Sequence, residues 1–448
     1  MSYLPLRGEV EMSFSQVLSS HKWAVFLLCV FVSLDLALLA VPPYSIYDEV
    51  VYVPVAYNMV RLTPQPLIPR FLGNPVTVAG SLNLTIYYPN RTLGQDFNLE
   101  QPPLGKVIIG FFVYAFSPNV VSFFWARVPS VIMGAVALVS IYGIGLTIFN
   151  EKKWALLSMV FLNFDTLFWI HSRAALLDIY MLAFMMVGIF LYLRNRPYLS
   201  MFFLALSTLS KWTGIFGLFI VLIYSLVQRE DNLKQWVKQS VINISLCASI
   251  VFIMFTVLLQ FFGVSHNPFT EIMLYLKWNS SINWTLSLVQ GVPSSQPWAW
   301  LFNQTPVRYA WLFDPATNLA LISFWAQMNP AIIFMAVPVM AYASYDIYKT
   351  KSSSSTLILI WFMATWLPYF VISIGGAEQF IHHSLAMLVS VVLGVINWLR
   401  TQRKPFIIGY SAFVFAAWLW AYPYPFLILY ITGASRYALP PLNFLFGA

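Results

Sequence analysis

The sequence predicts an all-α polytopic membrane protein, and three observations carry that expectation. Of its 448 residues, 60% are hydrophobic and only 9% charged. The mean hydropathy of +0.74 lies far above that of a soluble domain. Many apolar runs reach the roughly 20 residues that cross a bilayer as a helix. In hydrocarbon the backbone polar groups have to be satisfied within the segment, so runs of this length read as helices rather than open strands. Residues 1–448 read as a single membrane domain.

The first span is expected at about 23–41, "WAVFLLCVFVSLDLALLAV". It is longer than the apolar core of a signal peptide and no small-residue cleavage site follows it, so it reads as a retained helix. A long polar stretch, 42–120, comes next and carries "VPPYSIYDEVVY", with Asp48 and Glu49 side by side. Towards its end "EQPPLGKVIIGFFVYAF" places a double proline before an apolar stretch of helical length. Prolines suit a helix start, and the short segment reads as a helix lying at the membrane interface with Lys106 near the headgroups.

Further spans are expected at about 121–148, 154–170, 174–193, 198–210, 212–227, 239–263, 321–345, 356–374, 381–399 and 405–430, about eleven in all. A second long loop, 264–320, contains "SSQPWAWLFNQTPVRYAW". Its tryptophans suit either a membrane anchor or the apolar face of a sugar ring. Cys29 and Cys247 both fall inside apolar runs, which argues against a disulfide or a metal cluster.

With the N-terminus in the cytoplasm, alternate short loops carry Lys152 and Lys153, Arg194 and Arg196, Arg229, Lys234 and Lys238, Lys349 and Lys351, then Arg400, Arg403 and Lys404. All of these fall inside, as the positive-inside bias requires. They account for much of the net charge of +8, which calls for no nucleic-acid partner. The two long loops and the C-terminus then face the extracytoplasmic side. The glycosylation acceptor patterns at Asn83, Asn90, Asn279, Asn283 and Asn303 all lie in those loops, while "NIS" at Asn243 falls within a span.

Asp48 and Glu49 therefore sit at the outer surface, where an average loop carboxylate is simply solvated. Other charges gather on the same side: Lys106, Arg127, Asp165, Arg173, Asp178 and Lys211. Ionisable groups near hydrocarbon are costly unless paired, wet or snorkelling. Arg173 with Asp178 reads equally as an ion pair joining two helix ends, and Lys211 as a snorkelling residue. As a set, however, the carboxylates and cations suit a reaction on a lipid phosphate. Cations would grip the phosphate and a carboxylate would take a proton from an incoming nucleophile. A membrane transporter, the reading from a different class, places its charges near the midplane and is often built of repeated halves; here the charges gather at one surface and no repeat is found. Two adjacent carboxylates are also a pair of divalent-cation ligands, but no ligand set with diagnostic spacing accompanies them, and no metal is assigned.

"YDEVVYVPVA", "QPPLGK", "WARVPSVIMG", "FDTLFWIHSRAALLD", "LSKWTGIF", "SSQPWAWLF", "MNPAIIF" and "EQFIHHSLAM" follow one another along the chain. In this order they resemble the protein O-mannosyltransferases of the dolichyl-phosphate-mannose type, in a short, prokaryotic-like form. The resemblance implies the GT-C glycosyltransferase fold, with extracytoplasmic interfacial helices. It implies an enzyme that transfers mannose with inversion from a polyprenyl (dolichyl) phosphate carrier to an acceptor hydroxyl, protein Ser or Thr or a glycan. The site would face outward from a prokaryotic plasma membrane or into the endoplasmic reticulum. Asp48 would be the general base, with Glu49 supporting it. Lys106, Arg127 and Lys211 would neutralise the departing phosphate, with Arg173, Asp178, Asp165, His382 and His383 in support. A related GT-C transferase acting on a lipid or N-glycan acceptor is the alternative; no "WWDYG" run of an oligosaccharyltransferase is present. Three features depart from the family pattern: Gln101 stands where His is common, Glu378 and Gln379 where a basic residue is frequent, and the second outer loop is too short for an inserted module.

Overall fold

A computed structural model describes residues 19–37, 39–40, 46–60, 101–117, 122–229, 232–261, 267, 269–274, 295–314, 319–374 and 379–421. Asn83, Asn90, Asn279, Asn283, Glu378 and the C-terminal tail lie outside the described residues. Among the described residues, six helices are long and apolar enough to cross a membrane and four shorter apolar helices accompany them.

The principal helices are α1 (Lys22–Ala37), α2 (Glu49–Val60), α3 (Leu104–Phe116), α4 (Phe123–Phe149), α5 (Lys152–Asn163), α6 (Thr166–His171), α7 (Leu177–Leu193), α8 (Pro197–Ser210), α9 (Phe216–Val227) and α10 (Leu233–Phe261). After an antiparallel hairpin, β1 (Val307–Asp314) and β2 (Leu319–Ala326), come α11 (Ala336–Thr350), α12 (Ser353–Trp366), α13 (Leu385–Leu399) and α14 (Lys404–Ala421). Helix α7 is the hub: it packs on α4 and α8 and buries most of its length, while α13 fills the other half of the core against α11 and α12. The apolar side chains left outward, such as Val139, Phe219, Val257 and Phe413, suit a lipid-facing surface.

Three differences from the sequence reading have physical causes. The expected span at 154–170 is broken after Asn163, because Asp165 caps a new short helix by accepting from the Leu167 and Phe168 amides at 2.9 and 3.1 Å. The start of the expected span at 321–345 is strand β2, and helix resumes only at Pro330, where Asn329 caps a short helical turn. Within the expected loop 42–120, the segment Glu49–Val60 is a helix, α2, that buries Val53, Val55, Ala56, Tyr57 and Met59. It packs on α3 so closely that a Cβ at Gly110 would overlap the Ala56 carbonyl oxygen, so only glycine fits there.

The basic loops meet at one end of the bundle. Ser354 donates to the Ile148 carbonyl, Lys152 to that of Ser20, and the Arg400 guanidinium lies 5.0 Å over the Phe149 ring. The expected site residues collect at the opposite helix ends. Asn243 is buried within α10. Asn303 is engaged otherwise than as a glycan acceptor: its amide donates to the Met328 carbonyl at 2.9 Å and accepts the Met328 N–H at 3.0 Å. A glycan there would break this clamp. Peptide mapping of protein from a glycosylating host is expected to find Asn303 unmodified, and Asn303→Ala is expected to cost about 1–3 kcal/mol by orphaning the Met328 amide, read as a lower Tm.

Candidate active site

Three charged groups of the site stand at helix ends where backbone direction and dipole favour them. Asp178 is in the first turn of α7, Lys211 follows the last residue of α8, and Glu49 opens α2. Acids at N-termini and cations at C-termini are stabilised by the unpaired backbone groups.

Glu49 is wholly buried and its carboxylate is saturated. Oε1 accepts from Arg127 Nε and from the Ala175 amide, both at 2.8 Å. Oε2 accepts from Arg127 Nη2 at 2.8 Å and from the Ile46 amide at 2.9 Å. The Arg127 guanidinium is itself only 2% exposed, gives Nη1 to the Leu39 carbonyl at 3.1 Å, and lies 5.1 Å over the Phe123 ring. Arg127 is held in a bidentate pair with Glu49, and Glu49 is a bolt joining α2, α4, the turn before α7 and the segment after α1.

That bolt fixes its neighbour. Asp48 is half-buried at the head of α2, its backbone carbonyl accepting from Val51 and Tyr52 at 2.9 Å. Tyr47, in the left-handed region at φ 47°, turns the chain into the helix. Its ring stacks on Tyr309 of β1 with centroids 4.5 Å apart and planes 10° apart. Tyr309 Oη lies 3.0 Å from His171 Nε2. His171 Nδ1 faces Asp178 Oδ2 at 4.0 Å, and Asp178 Oδ1 accepts from Lys211 Nζ at 2.7 Å. His382 closes the cluster, its ring 5.3 Å from Tyr47 and 6.1 Å from His171, with His383 behind it stacked on Tyr369 at 5.5 Å.

Lys106 approaches from α3. It is buried and donates to the Gln101 carbonyl at 2.7 Å. A Cβ on Gly105 would meet Leu177 Cδ2 at 2.8 Å and the Ser210 carbonyl at 3.7 Å. The glycine thus lets the head of α3 press against the residues preceding Asp178 and Lys211.

Two expected support residues have other partners. Arg173 does not pair with Asp178; its Nε faces Asp35 of α1 at 4.0 Å, with the guanidinium 4.4 Å over Trp169. Asp165, besides capping α6, accepts the Asn329 amide at 2.7 Å and so joins α6 to the segment leading to α11. Both residues hold the frame. Asp35, His171, Tyr47 and Tyr309 were not foreseen. For Asp35 a signal existed, a lone carboxylate inside the first apolar run. The others are ordinary aromatic and imidazole side chains until the fold gathers them.

The electrostatics at this end of the bundle follow from burial. Burial raises the Tyr309 phenol well above its usual pKa, and Tyr47, Asp178 and Asp48 nearby add to this. Burial lowers His171 to about 4, against the opposing pull of Asp178. Near neutral pH the pair is accordingly an uncharged phenol on an uncharged imidazole. Among the described residues no group of three or more His, Cys, Asp or Glu is placed to hold a metal ion.

Chemically, this arrangement sets the half-buried Asp48 beside the Tyr47–Tyr309 stack and a buried ammonium, Lys211, beyond His171 and Asp178, with the buried Lys106 held on the Gln101 carbonyl at the head of α3. Residues 87–270 match the family model of dolichyl-phosphate-mannose-protein mannosyltransferases. The polyprenol-phosphate-mannose–protein mannosyltransferase of Mycobacterium tuberculosis is 31% identical over 145 residues, a match covering 29% of this chain and 28% of that relative's length. In fold, the chain is similar to the Saccharomyces cerevisiae protein O-mannosyltransferase Pmt1-Pmt2 complex bound to its sugar donor, with TM-score 0.67, 11% identity, and coverage of 91% of this chain and 90% of that one. It is also similar to ArnT of Cupriavidus metallidurans bound to undecaprenyl phosphate, with TM-score 0.54, 12% identity, and coverage of 87% and 62%. These neighbours share the GT-C architecture expected from the resemblance. Residues 87–270 are thus similar to the dolichyl-phosphate-mannose-protein mannosyltransferases, and the described chain shares the fold of a protein O-mannosyltransferase, while its sequence match spans 28% of the curated relative's length.

Proposed function

We propose that the chain is an inverting transferase moving mannose from a polyprenyl phosphate to a hydroxyl of a protein acceptor on the extracytoplasmic side of the membrane. The observation that carries this reading is the run of contacts from Tyr47, the residue beside Asp48, through Tyr309 and His171 to the Asp178–Lys211 pair. The polyprenol-phosphate-mannose–protein mannosyltransferase activity of the Mycobacterium relative supports the donor and the protein acceptor. The positive-inside pattern supports the orientation, since the basic loops lie at the end of the bundle away from Asp48.

In this mechanism Asp48 accepts the proton of the acceptor hydroxyl as its oxygen closes on the anomeric carbon from the face opposite the phosphate. Negative charge gathers on the departing phosphate, and Lys211 and Lys106 stabilise it there. Asp178 holds Lys211 in place until the phosphate arrives. Glu49 and Arg127 keep α2 and thus Asp48 in register. The polyprenyl chain remains in the bilayer.

Purified protein given radiolabelled polyprenyl-phosphate-mannose and a Ser/Thr-rich peptide is expected to produce a mannosylated peptide of inverted anomeric configuration. Transfer only to a lipid or glycan acceptor would move the reading to a related transferase, and no transfer to any acceptor would remove it. Lys211→Met is expected to lower kcat/KM for the donor by about 10²–10³-fold, measured from initial rates against donor concentration.

A further inference from the structure

The Tyr47–Tyr309 stack touches the residue next to the proposed base, and its far edge touches the group nearest the proposed phosphate side. Tyr309 is 2% exposed and comes from the β1 strand, an element distinct from those carrying Asp48, Asp178 and Lys211. Among the described residues, its hydroxyl is linked to His171 Nε2 at 3.0 Å. His171 Nδ1 is buried and has no hydrogen-bond partner, and the 4.0 Å to Asp178 Oδ2 is too long for one. A shift of Asp178 by about 1 Å would complete that bond.

We infer that Tyr309 is a positioning residue that couples the orientation of Asp48 to the occupancy of Lys211, acting through His171 and Asp178. The inference rests on the transferase reading above. With Lys211 drawn to Asp178 at 2.7 Å, the carboxylate is held away from the imidazole. An incoming phosphate competes for the Lys211 ammonium and loosens that bond. Asp178 then takes the Nδ1–H of His171, which fixes the tautomer with Nε2 as acceptor. The Tyr309 hydroxyl donates to Nε2, and the ring locks Tyr47 and with it the adjoining Asp48. An unpaired buried N–H is costly, so the closed arrangement is favoured once the phosphate has freed Asp178. The site readies its base only when a donor is bound. Burial keeps Tyr309 protonated and His171 neutral, as this polarity requires.

The test is a double-mutant cycle on the full-length purified protein, with folding checked by size exclusion. Tyr309→Phe keeps the stack on Tyr47 and removes only the hydroxyl. Tyr309→Phe and His171→Leu are each expected to lower kcat about tenfold, the loss of one buried hydrogen bond, with the donor KM within about twofold of wild type. The double variant is expected to lose no more than either single one. His171→Gln, whose amide oxygen accepts the same O–H, is expected to recover most of the rate. Unchanged kcat in Tyr309→Phe, or a multiplicative loss of about a hundredfold in the double variant, overturns the coupling while wild-type transfer stands. A wild-type protein that transfers no mannose overturns the transferase reading and this inference with it.

Discussion

Asp48→Asn is expected to lower kcat by about 10³-fold, within the range for loss of a general base, and to leave donor binding and thermal stability near wild type. The argument turns on the contrast with its neighbour. Glu49 makes four hydrogen bonds from full burial, whereas Asp48 is half-buried and its backbone carbonyl, which accepts from Val51 and Tyr52 at the head of α2, is untouched by the substitution. Asparagine has almost the same shape but does not accept a proton at working pH, so the acceptor hydroxyl would have to attack while still protonated. The donor phosphate is gripped elsewhere, at Lys211 and Lys106, so the donor KM is expected to stay within about threefold of wild type, the pattern of an interaction made only in the transition state. Asp48→Glu keeps the carboxylate but displaces it by one methylene, and an intermediate rate is expected because a misplaced base loses much of its advantage. The check is steady-state transfer to peptide, with donor binding measured separately. A wild-type rate in Asp48→Asn would remove it as base.

Much of this site was legible because charge is scarce in the chain. With 9% charged residues, each ionisable group beside an apolar run carries a cost that some partner must offset. Grouping Asp48, Lys106, Asp178 and Lys211 at one face needed only that rule and the alternation of basic loops. The choice of partners was not legible. Arg173 and Asp178 are five residues apart and read as a natural pair, yet the chain between them is an irregular turn that sends Arg173 to Asp35 on α1 and Asp178 into the core towards Lys211. Arg127 and Glu49 are 78 residues apart, and nothing local says that they meet. The β-hairpin was missed although its signals were present: "VRYAWLF" and "LALISFWA" flank the turn-forming "DPATN". The second run merges into the apolar helix after Pro330, and length alone made the two look like one span. Because Tyr309 lies on that hairpin, overlooking the strand also hid the residue that bridges the two halves of the site.

Arg127→Met is expected to be the most destabilising single change, about 3–5 kcal/mol, as for removal of one partner from a buried ion pair. It would strip both charge-assisted bonds from the Glu49 carboxylate and leave the Leu39 carbonyl without its donor, while the Ile46 and Ala175 amides remain on the carboxylate. Glu49→Leu is expected to cost a similar amount for a different reason: it leaves a buried guanidinium and two backbone amides unsatisfied. In the double variant no buried charge remains unpaired, but the Ile46 and Ala175 amides are still orphaned. Its Tm is therefore expected to lie above that of Arg127→Met and below that of wild type. The ordering, read as Tm of the detergent-solubilised protein, separates the bolt from the alternative in which Arg127 binds the donor phosphate. A phosphate ligand would show its loss mainly as a raised donor KM with Tm little changed. A bolt shows it as lowered Tm and lowered kcat, because α2 shifts and carries Asp48 away from the acceptor, while donor affinity at Lys211 and Lys106 persists.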